Sequence, residues 1–263
     1  MAAAATAVVD LRECQAPFDI VGDVHGCADE LQELLNQLGY VVEWAGSGEQ
    51  RCVRVTRKHA RMLVLVGDIT DRGPRSADSL RIVMAAVDAG FGLCVQGNHD
   101  NKLMRWLEGR SVQTTHGLDG TVAELQDETP AFRAKVATFL ASLPSHLWLD
   151  GGVLAVTHAG IRENMLGRDS KAIRSFTLYG QTNGQTDELG LPVRLDWASD
   201  YRGQTAIVYG HTPKRDAVWI NNTICIDTGC VFGGRLTALR WPERELVSVP
   251  ANRTYATPAR PLA

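Results

Sequence analysis

The chain has 263 residues, 44% of them apolar and 22% charged, with a formal net charge of −3 at neutral pH and a mean hydropathy near zero. That is enough apolar material for a sizeable core in one large domain, and it excludes a wholly disordered chain. Slight acidity excludes a protein that grips nucleic acid mainly by counterion release over many phosphates, and the longest apolar run is far below the ~18 residues of a spanning helix, so no membrane partner is expected.

Six cysteines, at 14, 27, 52, 94, 225 and 230, are scattered with no Cys-x-x-Cys pair. A chain of this size needs no disulfide staples, so the thiols read as reduced and the location as cytoplasmic. Residues 1–9 are alanine-rich, lack a basic start and meet Asp10, Arg12 and Glu13 at once. They read as part of a flexible tail, residues 1–16, rather than as a signal peptide.

Strand and helix alternate from there. A short apolar strand over Phe18–Val21 runs into Gly22-Asp23-Val24-His25-Gly26. Asp29 then caps a helix whose Leu31, Leu34, Leu35 and Leu38 recur at helical spacing, closed by Gly39. Residues 40–61 predict a glycine turn and one strand over 51–55, placed at a sheet edge. A second strand, 62–66, leads into Gly67-Asp68-Ile69-Thr70-Asp71-Arg72-Gly73, and Ser76 caps a helix striped with Leu80, Val83, Met84 and Val87. A third, 93–96, precedes Gly97-Asn98-His99-Asp100 and a helix near 101–107. A polar stretch around 114–118 follows, then Thr129-Pro130 opens a helix with Phe132, Val136, Phe139 and Leu140 aligned, stopped before Pro144. Beyond Leu147 the pattern becomes short strands (153–157, 205–209, 218–226, 235–240, 246–249), and the stretch after Pro250 reads as loose. Residues 161–203 interrupt the rhythm with arginines, aromatics and glycines but no long apolar run, which suits a substrate-recognition insert.

Five strand ends thus deliver ligand chemistry: the three loops above, Thr157-His158-Ala159-Gly160 and Gly210-His211-Thr212. An acid and an imidazole two apart on extended chain point the same way, so Asp23 and His25 can share one cation. Asp23, His25, Asp68, Asn98, His158 and His211 form a mixed oxygen and nitrogen set suited to Mn, Fe, Zn or Co. Six side chains are too many for one open catalytic ion and about right for two with a bridging carboxylate. Such a pair promotes in-line displacement at phosphorus, hence phosphoester or phosphoanhydride hydrolysis.

Together GDVHG, GDITDRG, GNHD, THAG and GHT resemble the calcineurin-like metallophosphatase superfamily, near its phosphoprotein-phosphatase branch. Residues 98–102, 115–118, 178–182, 197–198, 201–203, 209–213 and 226–234 resemble two bacterial groups more specifically: asymmetrical diadenosine-tetraphosphate hydrolases and the phosphatase domain of polynucleotide kinase-phosphatases. The likeness spans about residues 17–256, and implies an α/β fold with a central β-sandwich of two mixed sheets flanked by helices, followed by a tail over 257–263.

The resemblance further implies that Asp23, His25 and Asp68 hold a first ion and Asp68, Asn98, His158 and His211 a second. Many relatives carry Gly-His-x-His where this chain has Gly210-His211-Thr212-Pro213, and Asp227 is the candidate for the missing first-ion ligand. His99 becomes the candidate general acid, Asp71 its orienting carboxylate and Arg72 a fork for phosphoryl oxygens. The expected cofactors are two divalent ions, Mn(II) first, with Ni, Co, Fe or Zn as alternatives. Candidate substrate contacts are Arg72, Asn98, Lys102, Arg174, Tyr179, Arg194 and Arg202.

The substrate expectation is a nucleotide: a dinucleoside tetraphosphate or an RNA 2′ or 3′ terminal phosphate, with a phosphoprotein as the alternative and no obligate protein partner. No Gly-x-x-x-x-Gly-Lys-Ser/Thr loop occurs, so the chain is not a whole end-healing enzyme but a free-standing hydrolase or an excised domain. A binding module without turnover would lack a ligand, Arg72 or His99, and none is missing. Cys27 and Cys230 adjoin the proposed site and read as small packing residues.

Overall fold

Side chains that alternate along a strand go to opposite faces of its sheet, and here both faces are buried. The computed structural model describes residues 9–15, 17–188, 190, 192–260 and 262. Along β1 (Phe18–Val21) and β4 (Met62–Leu65), Phe18, Ile20 and Val64 enter one core, and Val21, Leu63 and Leu65 another. In β7 (Leu154–Thr157) and β10 (Ala206–Tyr209), Leu154, Val156, Ala206 and Val208 join the first of these cores, while Ala155, Ile207 and Tyr209 face a third. Near-continuous apolar runs, rather than polar alternation, are the consequence.

Two five-stranded mixed sheets form the sandwich. The first has the order β14 (Glu245–Pro250), β13 (Arg235–Trp241), β1, β4, β5 (Gly92–Cys94); the second has β11 (Trp219–Ile220), β12 (Thr223–Cys225), β10, β7, β6 (His146–Leu149). Strands β1, β4 and β5 run parallel, as do β7, β10 and β12. Helices α1 (Ala28–Leu38), α2 (Ser76–Asp88) and α5 (Pro130–Ser142) bury Leu31, Leu34, Leu80, Val83, Val136 and Leu140 in the core with the outer face of the first sheet. The 161–203 insert covers the second sheet with Ile161, Phe176, Trp197 and Tyr201. It contains α6 (Lys171–Tyr179), the hairpin β8 (Thr182–Thr186) and β9 (Pro192–Arg194), and α7 (Trp197–Asp200). The expected fold class, two mixed sheets flanked by helices, is the observed one. No helix among the described residues is long and apolar enough to cross a membrane.

Several local expectations are corrected. Asp29 does not cap α1, which starts at Ala28 without a side-chain cap. Ser76 is the first residue of α2 rather than its cap; the freed amides of Ser76 and Ala77 are taken by Glu124, at 3.0 and 2.9 Å. Thr129 caps α5 as expected, accepting from Phe132 N at 3.1 Å. The stretch at 114–118 leads into a helix the periodicity missed, α4 (Leu118–Gln126). The strand expected over 51–55 pairs with a second one, β2 (Tyr40–Ala45) against β3 (Cys52–Arg57), in a separate two-stranded sheet. The run 218–226 divides into β11 and β12 at a turn.

The start of the chain and the stretch after Pro250, both expected to be loose, make ordered contacts where they are described; residues 1–8, 16, 261 and 263 lie outside the described residues. Residues 9–14 run beside β6, with Trp148 N donating to Val9 O at 2.8 Å and Leu11 N to Trp148 O at 2.9 Å. The stretch after Pro250 folds back on α1, where Glu30 accepts from Asn252 N and Tyr255 OH at 2.9 and 2.7 Å. A backbone with unpaired strand edges beside it gains hydrogen bonds by lying down, which terminal position alone does not reveal.

Candidate metal centre and its surroundings

The C-terminal ends of six parallel strands, three from each sheet, bring the glycine-flanked loops to one rim of the sandwich. Open α/β sheets commonly present ligand sites there, because the loops diverge above the strand ends. Backbone strain concentrates at this rim: His25, Asp68, Asp71, Arg72 and His211 have positive φ, five of the nine such non-glycine residues described. Gly97 and Gly210 are required by close approach. A Cβ on Gly97 would sit 2.2 Å from Asp68 N and Oδ1, and one on Gly210 would sit 1.8 Å from Asp23 Oδ1.

The imidazoles are set by backbone carbonyls. His25 Nδ1 lies 2.9 Å from Thr70 O and His158 Nδ1 lies 3.0 Å from Val66 O. A carbonyl only accepts, so each Nδ1 carries the proton and each Nε2 offers a lone pair. His158 Nε2 is 3.0 Å from Asn98 Oδ1, 3.0 Å from His211 Nδ1 and 3.4 Å from Asp68 Oδ2; His25 Nε2 is 3.5 Å from the same Asp68 oxygen. Two triads of ligand atoms fall within 4.8 Å, His25–Asp68–His99 and Asp68–His158–His211, sharing Asp68. Asp23 Oδ1 and His211 Nε2 are buried without a hydrogen-bond partner. Donors aimed at one another across about 3 Å, with orphaned lone pairs among them, fit divalent cations and little else.

Charge leads to the same reading. Burial raises Asp23 well above the usual carboxylate range, and the nearby charges of Asp227 and Asp68 push it further. Burial likewise raises Asp68 to about 7 and Asp227 to about 6. It lowers His25 and His211 well below the usual imidazole range and His158 to about 3, so all three are neutral at physiological pH. Crowded buried carboxylates beside neutral imidazoles are a cost that a cation removes.

His99 and Asp71 form a second cluster beside the first. His99 Nδ1 is 2.6 Å from Asp71 Oδ2, and the ring stands edge-on to His25 at 4.8 Å between centroids. Burial lowers His99 well below the imidazole range and raises Asp71 to about 6. Arg72 lies over Phe232 and places Nη1 2.7 Å from His25 Nε2. Arg194 comes from the insert, donating to Thr212 Oγ1 at 3.1 Å, and its charge acts on Asp68 and Asp227. Lys102 donates to Thr115 O at 2.7 Å, and its charge acts on Asp71.

The expected residues do not all gather. Asp23, His25, Asp68, Asp71, Arg72, Asn98, His99, His158, Arg194, His211 and Asp227 share the rim, with Lys102 beside it. Arg174 is held locally by Asp169 at 2.9 Å, and Arg202 by the carbonyls of Ser199 and Tyr201 at 2.7 and 2.8 Å. Tyr179 ends α6 with 45% of its surface exposed, one residue before Gly180, whose Cβ position lies near the Ala159 carbonyl.

Two residues that sequence reasoning passed over hold the loops. Asp100, fully buried, accepts from Asp68 N at 2.8 Å, Gly97 N at 3.0 Å and Ile69 N at 3.0 Å. Thr121 Oγ1 donates to Asp71 Oδ1 at 2.6 Å, and Ser76 Oγ accepts from Asp71 N at 3.0 Å. Asp100 had a signal, an acid in the first turn after a glycine; Thr121 had none, since its helix was not foreseen.

Comparison with known proteins agrees with this geometry. The description of the calcineurin-like phosphoesterase family matches residues 16–244. Proteins named asymmetrical bis(5′-nucleosyl)-tetraphosphatase PrpE are similar over nearly the whole chain. That of Anoxybacillus flavithermus is 44% identical over 242 residues, 90% of this chain and 96% of its own. That of Bacillus subtilis is 42% identical over the same shares. A solved structure described as a candidate diadenosine tetraphosphatase superposes with a TM-score of 0.66 at 25% identity, covering 94% of this chain and 99% of its own. A Saccharomyces cerevisiae protein serine/threonine phosphatase shares the fold, at a TM-score of 0.57 and 12% identity over 94% and 83% of the two chains.

Proposed function

The chain belongs to the calcineurin-like phosphoesterase family, and from that premise we propose that it hydrolyses dinucleoside tetraphosphates asymmetrically, to a nucleoside triphosphate and a nucleoside monophosphate. The observation that carries the reading is Asp68 Oδ2 lying between His25 Nε2 at 3.5 Å and His158 Nε2 at 3.4 Å, with His211 completing a triad, in a chain 42–46% identical to proteins named for that reaction. Residues 17–256 act as one phosphoesterase domain, with 161–203 as its recognition insert.

Asp23, His25, Asp68 and Asp227 hold one divalent ion, and Asp68, Asn98, His158 and His211 the other. Mn(II) suits this mixed set best, with Ni, Co, Fe or Zn as competitors. When bound, such a pair supplies a water of lowered pKa and a positive clamp on the phosphoryl group. The side chains do the rest. Asp71 holds His99 Nδ1 at 2.6 Å and fixes the ring; burial and the charge of Arg72 disfavour the imidazolium at rest, and negative charge growing on a departing oxygen would favour it. His99 Nε2 can then give a proton to the departing oxygen. Arg72 places its guanidinium beside His25, Nη1 2.7 Å from Nε2, where it would present a planar fork to the phosphoryl oxygens and oppose the charge growing in the transition state. Arg194, from the other side, binds the remaining phosphates.

The test is product analysis on Mn(II)-loaded protein. Diadenosine tetraphosphate should yield ATP and AMP and no ADP, and excess chelator should end turnover. Two equivalents of ADP, or faster turnover of a 3′-phosphorylated RNA or a phosphopeptide, would replace the substrate assignment.

A further inference from the structure

Among the described residues, no acid holds the side chain of Arg72. Its charge acts on the buried carboxyls of Asp23, Asp68, Asp71 and Asp227, yet its one side-chain hydrogen bond is the 2.7 Å approach of Nη1 to His25 Nε2. That nitrogen is also the atom assigned above to the first ion. The guanidinium meets one other group, the ring of half-buried Phe232, with Cζ 5.3 Å from the ring centroid. This lies inside the range of a cation–π interaction.

Both partners of that contact are fixed from behind. Phe232 ends a single helical turn, Cys230–Phe232, between Gly229 and Gly233 with φ of +67° and +88°. Gly229 N donates to Asp227 Oδ1 at 3.0 Å, and Val231 O accepts from the amides of Tyr255 and Ala256, both at 3.0 Å. On the other side, Arg72 has a φ of +71°, a conformation that persists in a residue with a side chain only when its neighbours enforce it. Gly117 is such a neighbour: a Cβ there would sit 2.2 Å from Arg72 N and 2.9 Å from Arg72 Cγ. The arginine is thus gripped at its backbone by one glycine and at its head by one ring.

An aromatic partner suits this position because of what it does not consume. A carboxylate would hold the guanidinium by its N–H edge and occupy the donors that a phosphoryl group needs. A ring attracts the same charge and takes none of the five N–H donors.

We propose that Phe232 is the positioning residue of Arg72, its ring aiming the guanidinium at the phosphoryl oxygens while leaving the donors free. The inference rests on Arg72 being the phosphoryl fork of the reaction proposed above.

The test is steady-state kinetics of the full-length, Mn(II)-loaded protein on p-nitrophenyl phosphate. A fork that acts on charge growing in the transition state affects kcat and spares KM when it is misaligned. Phe232→Leu should therefore lower kcat about tenfold and change KM less than about twofold, while Phe232→Tyr, which keeps the ring face, should stay within about twofold of the parent. In an Arg72→Ala background Phe232→Leu should cost nothing further, whereas ordinary packing damage would cost the same factor with or without the guanidinium. A parent-like kcat in Phe232→Leu, an equal loss in Phe232→Tyr, or a loss that multiplies onto that of Arg72→Ala overturns the proposal. A parent-like kcat in Arg72→Ala would instead overturn the fork reading, and the proposal with it.

Discussion

His146 shows how one buried side chain sets a pH response away from the metal rim. It is fully buried, Nε2 accepts from Gly167 N at 3.1 Å and Nδ1 meets Ser145 Oγ at 3.1 Å, so it is held neutral. Burial lowers it from 6.5 to about 4. Above pH 6.5 both folded and unfolded states are neutral there and the residue contributes no pH dependence. As pH falls from 6.5 toward 4 only the unfolded chain takes up the proton, so stability is lost across that window, by about 3 kcal/mol in all. In urea titrations of metal-free protein, His146→Gln should be less stable than the parent at pH 7.5, and the gap should narrow by most of that amount at pH 4.5. An identical gap at both pH values would show that the imidazole titrates normally. Neither the depth of this histidine nor that of Asp100 was legible in the sequence, because burial of a polar side chain is decided by what packs over it.

Elements with strong periodicity were read correctly, and those whose apolar stripe is broken were not. Helix α1 was plain from four leucines, whereas α4 offers only Leu118, Val122 and Leu125, behind His116-Gly117. Ser76 was legible as a helix start but not as a support for Asp71, since its hydroxyl has a loop amide within reach only after α2 docks. The insert has a consequence at this scale. Hairpin β8–β9 ends at Arg194, which turns to Thr212 beside His211, while Arg174 and Arg202 are spent on their own helices. A charged hydrogen bond to a polyphosphate is worth about 1.5–3 kcal/mol. Arg194→Ala should therefore raise KM for diadenosine tetraphosphate about tenfold or more and change p-nitrophenyl phosphate turnover less than about twofold. Equal losses on both would place Arg194 with the reacting phosphoryl group instead of the distal phosphates.

At the scale of the whole molecule, the rim joins two sheets that share one interior core, so loading it with cations stabilises the entire fold. Mn(II) present at a thousandfold over its dissociation constant adds about 4 kcal/mol by mass action, which should appear as a rise in melting temperature that chelator reverses. Asp68→Asn should remove most of that rise, because Asp68 Oδ2 faces both His25 and His158 and so belongs to both proposed ion sites. A melting temperature indifferent to Mn(II) and chelator would mean that these side chains do not enclose the ions. By itself the sequence determined the strand–loop–helix rhythm, the glycine-flanked ligand loops and the chemistry they imply, because residue type and local spacing carry that information. The tertiary structure alone decided that Arg194 and not Arg174 or Arg202 reaches the rim, that Asp100 and Thr121 brace the loops, and that β2 and β3 pair in a sheet of their own. Those outcomes depend on contacts between residues far apart in the chain, Thr121 with Asp71 and Asp100 with Asp68 among them, and no local pattern encodes which distant surface a side chain will meet.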